Sequence, residues 1–208
     1  MEIVKHLSFV QLIRFKLLFS SINRKVKGWI SEKEAKLLYC AAAFGQGQGD
    51  IVEIGSAWGK STIILAQASR EFRGDTVFAV DPHTGGKSYL ASIKKETIDT
   101  YPEFLENIRK CGVEGLVKPI VRKSEEASGE WSGRPIRLLF IDGWHSYECV
   151  KKDILNWSRF LIHKGIIILD DYTNDFLDYK RAIDELLIPP LFEKERHQVG
   201  KMICAIKN

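Results

Sequence analysis

At 208 residues and 45% hydrophobic content, the chain has the length for one domain with a full core and too little for a second complete one. Its net charge of +4 is unevenly placed: residues 1–30 hold six basic residues against Glu2, and the remainder holds 25 basic against 26 acidic. The globular part is therefore neutral and no nucleic-acid partner is expected, while Cys40, Cys111, Cys149 and Cys204 form no C-x-x-C pair, which argues against a zinc ribbon, a redox motif or disulfides and fits a reducing cytoplasm.

The N-terminal arm, residues 1–30, contains "IVKHLSFVQLIRFKLLFSSINRKVKGW". Arg14 and Lys16 interrupt its apolar run and no small-residue cleavage site follows, so it reads neither as a signal peptide nor as a membrane span. On a helical projection its apolar positions do not gather on one stripe, because Gln11 and Arg14 project among Val4, Leu7 and Leu18. It is expected to be a helix packed on the domain or on a twin subunit, with weak membrane-surface contact as the alternative.

A single domain over residues 31–208 follows. "SEKEAKLLYCAAAFG" has Ser31 and Glu34 in capping-box spacing and stops at Gly45, which predicts a helix. Buried strands are then predicted at Ile51–Ile54, Thr76–Val80, Val117–Arg122, Arg137–Ile141, Ile166–Leu169, Phe192–Gln198 and Lys201–Ile206. Helices are predicted between them at Lys60–Arg70, Pro102–Cys111 (capped by Thr100 or Tyr101), Tyr147–Phe160 and Tyr179–Leu187. This alternation predicts an α/β, Rossmann-like doubly wound sheet of seven strands, with helices on both faces. A short Val199-Gly200 turn makes the last two strands a hairpin, which places one antiparallel strand at the sheet's end. Ligands bind such sheets beyond the carboxyl ends of the strands, so the residues after each strand carry the functional information.

"VEIGSAWGKST" looks like a phosphate loop, but Gly55 and Gly59 enclose three residues where that loop has four, and Glu53 would repel a polyphosphate. "RLLFID" imitates the aspartate strand of ATPases, which keeps a P-loop-like NTPase as an alternative. Ala57 stands where a dinucleotide fold has its second glycine, which disfavours hydride chemistry. An adenosine ligand without phosphate remains. Lys60 then reads as a solvent-facing residue in the first helical turn.

At "GWISEKEAKLLY", "IVEIGSAWGKST", "VFAVDPH", "LLFIDGWHSYECVKKDI" and "GIIILDDY" the chain resembles the class I S-adenosylmethionine-dependent methyltransferases, and within them the macrocin-type and small-molecule O-methyltransferases. The resemblance implies a cofactor site of Glu53, Gly55, Ser56, Trp58, Gly59, Ser61, Asp81, Ser124 and Asp142. In it Glu53 complements the cofactor's positive charge, Asp81 accepts the ribose hydroxyls and Ser124 lies near the adenine. Asp81 also has a structural reading, as a turn former before Pro82, and Ser124 as a helix cap. The resemblance further implies a general base, His145, and Mg²⁺ at Asp142, Asp170 and Asp171, an all-oxygen set suited to that ion; capping of the next loops is the other reading of those acids. Trp58 and Trp144 are candidates for stacking or for ordinary packing. Residues 83–99 read as a lid or acceptor-binding loop, with His83 bordering the acceptor, a small molecule or sugar bearing a hydroxyl. A non-catalytic cofactor-binding module is the non-enzyme alternative.

Overall fold

The computed structural model describes residues 7–85, 90 and 97–208. The first six residues of the arm and most of the predicted lid, residues 86–89 and 91–96, lie outside them.

The arm folds as helix α1 (Phe9–Lys25), started by a capping box in which the Ser8 hydroxyl accepts from the Gln11 N–H and the Gln11 side chain accepts from the Ser8 N–H. Helix α2 (Glu32–Phe44) begins with the predicted Ser31/Glu34 box. Strand β1 (Asp50–Ile54) leads into α3 (Lys60–Phe72), and β2 (Val77–Val80) precedes α4 (Tyr101–Lys110). Strand β3 (Val117–Ile120), the short α5 (Ser124–Gly129), β4 (Ile136–Ile141) and α6 (Tyr147–Ser158) follow. The chain closes with β5 (Leu161–Leu169), a 3-10 turn at Asn174–Phe176, α7 (Leu177–Leu186), β6 (His197–Val199) and β7 (Met202–Ile206).

The strands form one seven-stranded sheet in the order β3-β2-β1-β4-β5-β7-β6. The first five are parallel, β7 is antiparallel to β5, and β6 is antiparallel to β7. The hairpin inserts β7 beside β5 as the one antiparallel strand and leaves β6 at the edge. Its turn is Gly200-Lys201, with Val199 paired to Met202. The predicted strand from Phe192 shrinks to three residues, since Phe192 makes only an isolated bridge to Lys207. Strand β5 is longer than predicted: the polar His163 and Lys164 mask it, and Lys164 has a φ of +61° where the β4–β5 pairing shifts register.

Alternation along the strands divides the core in two. Ile51, Val77, Leu138, Phe140, Ile166 and Ile168 pack under α1, α2, α3 and α4, while Val52, Ile54, Leu139, Ile141 and Ile167 pack under α6 and α7. The guanidinium of Arg137, fully buried in β4, ties the layers together. It pairs with Asp75 at 2.5 Å and donates to the Ala41 and Ala42 carbonyls in the last turn of α2, the first of which also accepts the Gly45 N–H.

Candidate active site

The winding of the sheet reverses between β1 and β4, which opens a crevice at their carboxyl ends. The two ends meet closely: Asp142 N–H donates to the Ile54 carbonyl at 2.8 Å, and a Cβ on Gly55 would lie far inside van der Waals contact with the Asp142 carbonyl. Gly55 has a φ of +89° and Gly59, the N-cap of α3, one of +86°, both open to glycine at little cost. No side chain caps the first turn of α3, so the positive end of the helix faces the turn. Asp81 links this turn to the loop after β2, its two oxygens accepting the N–H groups of Ala57 at 2.8 Å and His83 at 2.6 Å. The turn-forming role of Asp81 is therefore present, and each oxygen keeps a lone pair for a further donor.

Glu53 is fully buried at the foot of the crevice. Thr62 Oγ1 donates to its Oε2 and its Oε1 has no partner among the described residues. Burial pushes its carboxyl up to about 8, against the pull of the Ser61 and Thr62 hydroxyls. Ser56 is buried with an unpartnered Oγ, and Ser61 is buried in the first turn of α3. Trp58 is also buried, its ring edge-on to Trp29 at 5.8 Å, while Trp144 is half exposed. Ser124 does not cap α5, whose N-cap is Lys123. Its hydroxyl donates to Asp153 Oδ1 at 2.5 Å and accepts from Trp157 Nε1 at 2.9 Å, clamping α5 to α6.

The reading of Lys60 as solvent-facing is corrected. It is 5% exposed, and its ammonium donates to Asn23 Oδ1 at 2.7 Å and to the Gly28 carbonyl at 2.9 Å. Residue 60 is turned inward because α1 and its linker cover this face of α3, which no local pattern announces. Its desolvation lowers its pKa.

Strands β4 and β5 are hydrogen-bonded neighbours, with Ile141 opposite Leu169, so the acids after them converge. Asp142, His145 and Asp171 bring one ligand atom each within 4.8 Å of one another. His145 Nε2 lies 3.3 Å from Asp171 Oδ2 and 3.9 Å from Asp142 Oδ1. Asp170 is not in that group; it is 3% exposed with an unpartnered Oδ1, and burial, then the charge of Asp142, raises its carboxyl to about 7. Asp171 sits at a φ of +52°, a strained conformation for a non-glycine residue. Burial disfavours the His145 imidazolium, but Asp142, Asp171 and Asp170 outweigh it and raise the imidazole above its ordinary value. The ring rests on Phe176 at 4.8 Å and edge-on to Tyr179 at 5.2 Å, and the Tyr179 hydroxyl donates to the Asp170 carbonyl.

Sequence reasoning missed Lys201. The hairpin turn brings its ammonium onto Asp171 Oδ1, while its N–H donates to Glu34 Oε1 at 2.8 Å. Its only local signal is a position in a tight turn, which says nothing of what the turn meets. His83 takes no visible part in the acid cluster: its Nδ1 bonds Thr100 Oγ1 at 2.8 Å, which uses the hydroxyl predicted to cap α4.

The buried side-chain atoms without a hydrogen-bond partner among the described residues are Glu53 Oε1, Ser56 Oγ, His83 Nε2, His145 Nε2 and Asp170 Oδ1. All five lie at the carboxyl ends of β1, β2, β4 and β5. An unsatisfied buried polar atom costs roughly 1–3 kcal/mol, and these gather at one edge of the sheet. The groove at the opposite end of the sheet differs: its charges, Asp50 with Arg134 and Asp75 with Arg73, already neutralise one another.

Comparisons with known proteins agree with this geometry. Residues 52–172, more than half of the chain, match the family model described as a methyltransferase domain. The fold is similar to that of the O-methyltransferase NovP, with a TM-score of 0.72 at 20% identity over 86% of this chain and 81% of that one. It is also similar to the O-methyltransferase TomG from Streptomyces achromogenes, in complex with SAM (TM-score 0.67, 15% identity, 93% of this chain and 89% of that one). An O-methyltransferase from Bacillus cereus in complex with SAH gives a TM-score of 0.64 at 16% identity, over 98% of this chain and 93% of that one. With the Gly55–Gly59 turn at the switch point and the match running from β1 through the acid pair after β5, the chain belongs to the methyltransferase-domain family.

Proposed function

We propose that the chain is an S-adenosylmethionine-dependent O-methyltransferase that acts in the cytoplasm on a hydroxyl of a small molecule or sugar. The observation that carries this reading is the edge of unpartnered polar atoms running from Glu53 to Asp170 around the glycine turn. The α3 N-terminus suits the cofactor's carboxylate, Glu53 Oε1 its ammonium and the free lone pairs of Asp81 its ribose hydroxyls; Gly55, Ser56, Gly59 and Ser61 shape the cradle. Trp58, Ser124 and Asp142 complete the proposed set, although the Ser124 hydroxyl already bridges two neighbours. The NTPase reading loses its phosphate lysine, because Lys60 is held by Asn23 and Gly28.

In the reaction the acceptor oxygen attacks the methyl carbon in line as the carbon–sulfur bond breaks, and the sulfonium leaves as a neutral thioether. His145 Nε2 takes the hydroxyl proton, the Asp171 and Asp142 carboxylates beside it stabilise the imidazolium that forms, and Phe176 and Tyr179 back the ring.

Titration calorimetry tests the cofactor. Micromolar S-adenosylmethionine binding is expected, and ATP binding without a response to the methyl donor would sink the reading. Because an ammonium pairs with ionised Glu53, affinity should rise as pH approaches about 8, and Glu53→Gln should flatten that rise.

The acid cluster also fits a divalent cation. Asp142 and Asp171, with Asp170 beside them, would hold it, and it would lower the pKa of a coordinated hydroxyl. The Lys201 ammonium already neutralises Asp171 and competes for that position. Lys201→Met is therefore expected to tighten Mg²⁺ or Mn²⁺ binding by about tenfold, read by calorimetry in the absence of acceptor. Turnover of the wild type unchanged by EDTA, with no cation binding in that variant, would leave the carboxylates as positioning groups for His145.

A further inference from the structure

Helix α1 carries two apolar stripes, not a scattered set. Phe15, Phe19, Ile22 and the following Val26 recur at spacings of four, three and four, and are buried against α2 and α3. Phe9, Val10, Ile13 and Leu17 lie nearly opposite at about 100° per residue, and remain 78%, 58%, 44% and 68% exposed. Four large apolar side chains in one exposed row are more than the scattered surface hydrophobics of a monomer.

The surroundings of that row indicate what covers it. Helix α1 contains no acidic residue and four exposed basic ones, Arg14, Lys16, Arg24 and Lys25. Lys16 flanks the row on one side, Arg14 and Lys25 flank it on the other, and Arg24 continues it towards the C-terminus. Arg14 reaches Glu71 at 3.6 Å; the other three have no acidic partner among the described residues. A second copy laid face to face would bring these cations against their own kind. An apolar row edged by cations matches an anionic bilayer surface, where the row enters the acyl boundary and the long basic side chains stay among the headgroups. No helix among the described residues is long and apolar enough to cross a membrane, so the contact lies along the surface.

We propose that the outer face of α1 docks the protein on anionic lipid. The inference stands apart from methyl transfer and fails or holds independently of it.

The test is flotation of the full chain with vesicles of phosphatidylcholine alone or with phosphatidylglycerol added. Binding is expected to the anionic vesicles, weakly to the neutral ones, and to be lost in high salt. Ile13→Asp with Leu17→Asp should abolish it. Lys16→Glu with Arg24→Glu should weaken it by at least about tenfold, since each cation near such a surface is worth about fivefold. All four positions are exposed, so thermal unfolding and S-adenosylmethionine binding should stay unchanged. The proposal is overturned if the anionic vesicles are not bound, if neutral vesicles are bound equally well, or if the Asp pair binds like the wild type. It is overturned equally if sedimentation shows dimers that the Asp pair dissolves while vesicles go unbound, which would make a second copy the occupant.

Discussion

Gly55→Ala is expected to destabilise the fold by about 3 kcal/mol or more, read as a lower urea midpoint with little change in slope. Two costs add at this position. A φ of +89° is strained for any residue with a Cβ, at roughly 1–2 kcal/mol. The added carbon would also collide with the Asp142 backbone, and a backbone cannot rotate aside as a flexible side chain can. Relief requires β1 and β4 to separate at their ends, where Asp142 N–H bonds the Ile54 carbonyl, while Gly55 N–H is held on the other side by the Val80 carbonyl of β2. The same separation would widen the crevice, so cofactor affinity should fall together with stability. Gly74→Ala is the contrast: its φ of +78° brings the backbone cost, but its Cβ meets no atom within 4 Å, so it should cost only the first part. Equal losses in the two variants would show that the approach of β1 to β4 does not matter.

His145→Ala is expected to lower kcat by about 10²- to 10⁴-fold while S-adenosylmethionine affinity stays within about twofold. The imidazole touches the acids after β4 and β5 and none of the residues of the glycine turn, which is why the two effects should separate. The pH dependence has a definite sign. The base acts in its neutral form, and the surrounding carboxylates raise its pKa above the ordinary value, so turnover should fall as pH drops through that raised value. Lys201→Met removes a positive charge from Asp171 and so favours the imidazolium further, which should move the acidic limb to higher pH. Wild-type turnover in His145→Ala would remove it from the mechanism, and an unchanged pH profile would assign the limb to another group.

Much of this was legible before any coordinates. Strands β1, β2 and β4 announce themselves as largely apolar runs, broken only by Asp50, Glu53 and Arg137, because both of their faces are covered. Asp81 and Asp142 fall where the runs of β2 and β4 stop and Asp170 where that of β5 stops, and the Gly55–Gly59 spacing sets the turn apart from a phosphate loop. The cap of α2 was readable because a capping box is satisfied within four residues. What the pattern misjudged had non-local causes. Strand β5 begins five residues early because pairing with β4 outweighs the polar His163 and Lys164. Thr100 takes the N-cap position of α4, but its hydroxyl bonds His83, 17 residues away, and no first-turn N–H.

The order of strands and helices, the switch-point crevice and the identities of most groups around it follow from periodicity and turn chemistry, which act over a few residues and are written locally. The convergence of those groups does not. Asp171 is bound by Lys201, 30 residues on; Lys60 is drawn inward by Asn23, 37 residues back; and Asp170 stays outside the group that its neighbour joins. Helix α1 has two apolar stripes by sequence, but only its packing on α2 and α3 decided which is core and which is surface. Such outcomes depend on strand order, register and the shape of facing surfaces, terms that arise only when distant segments meet.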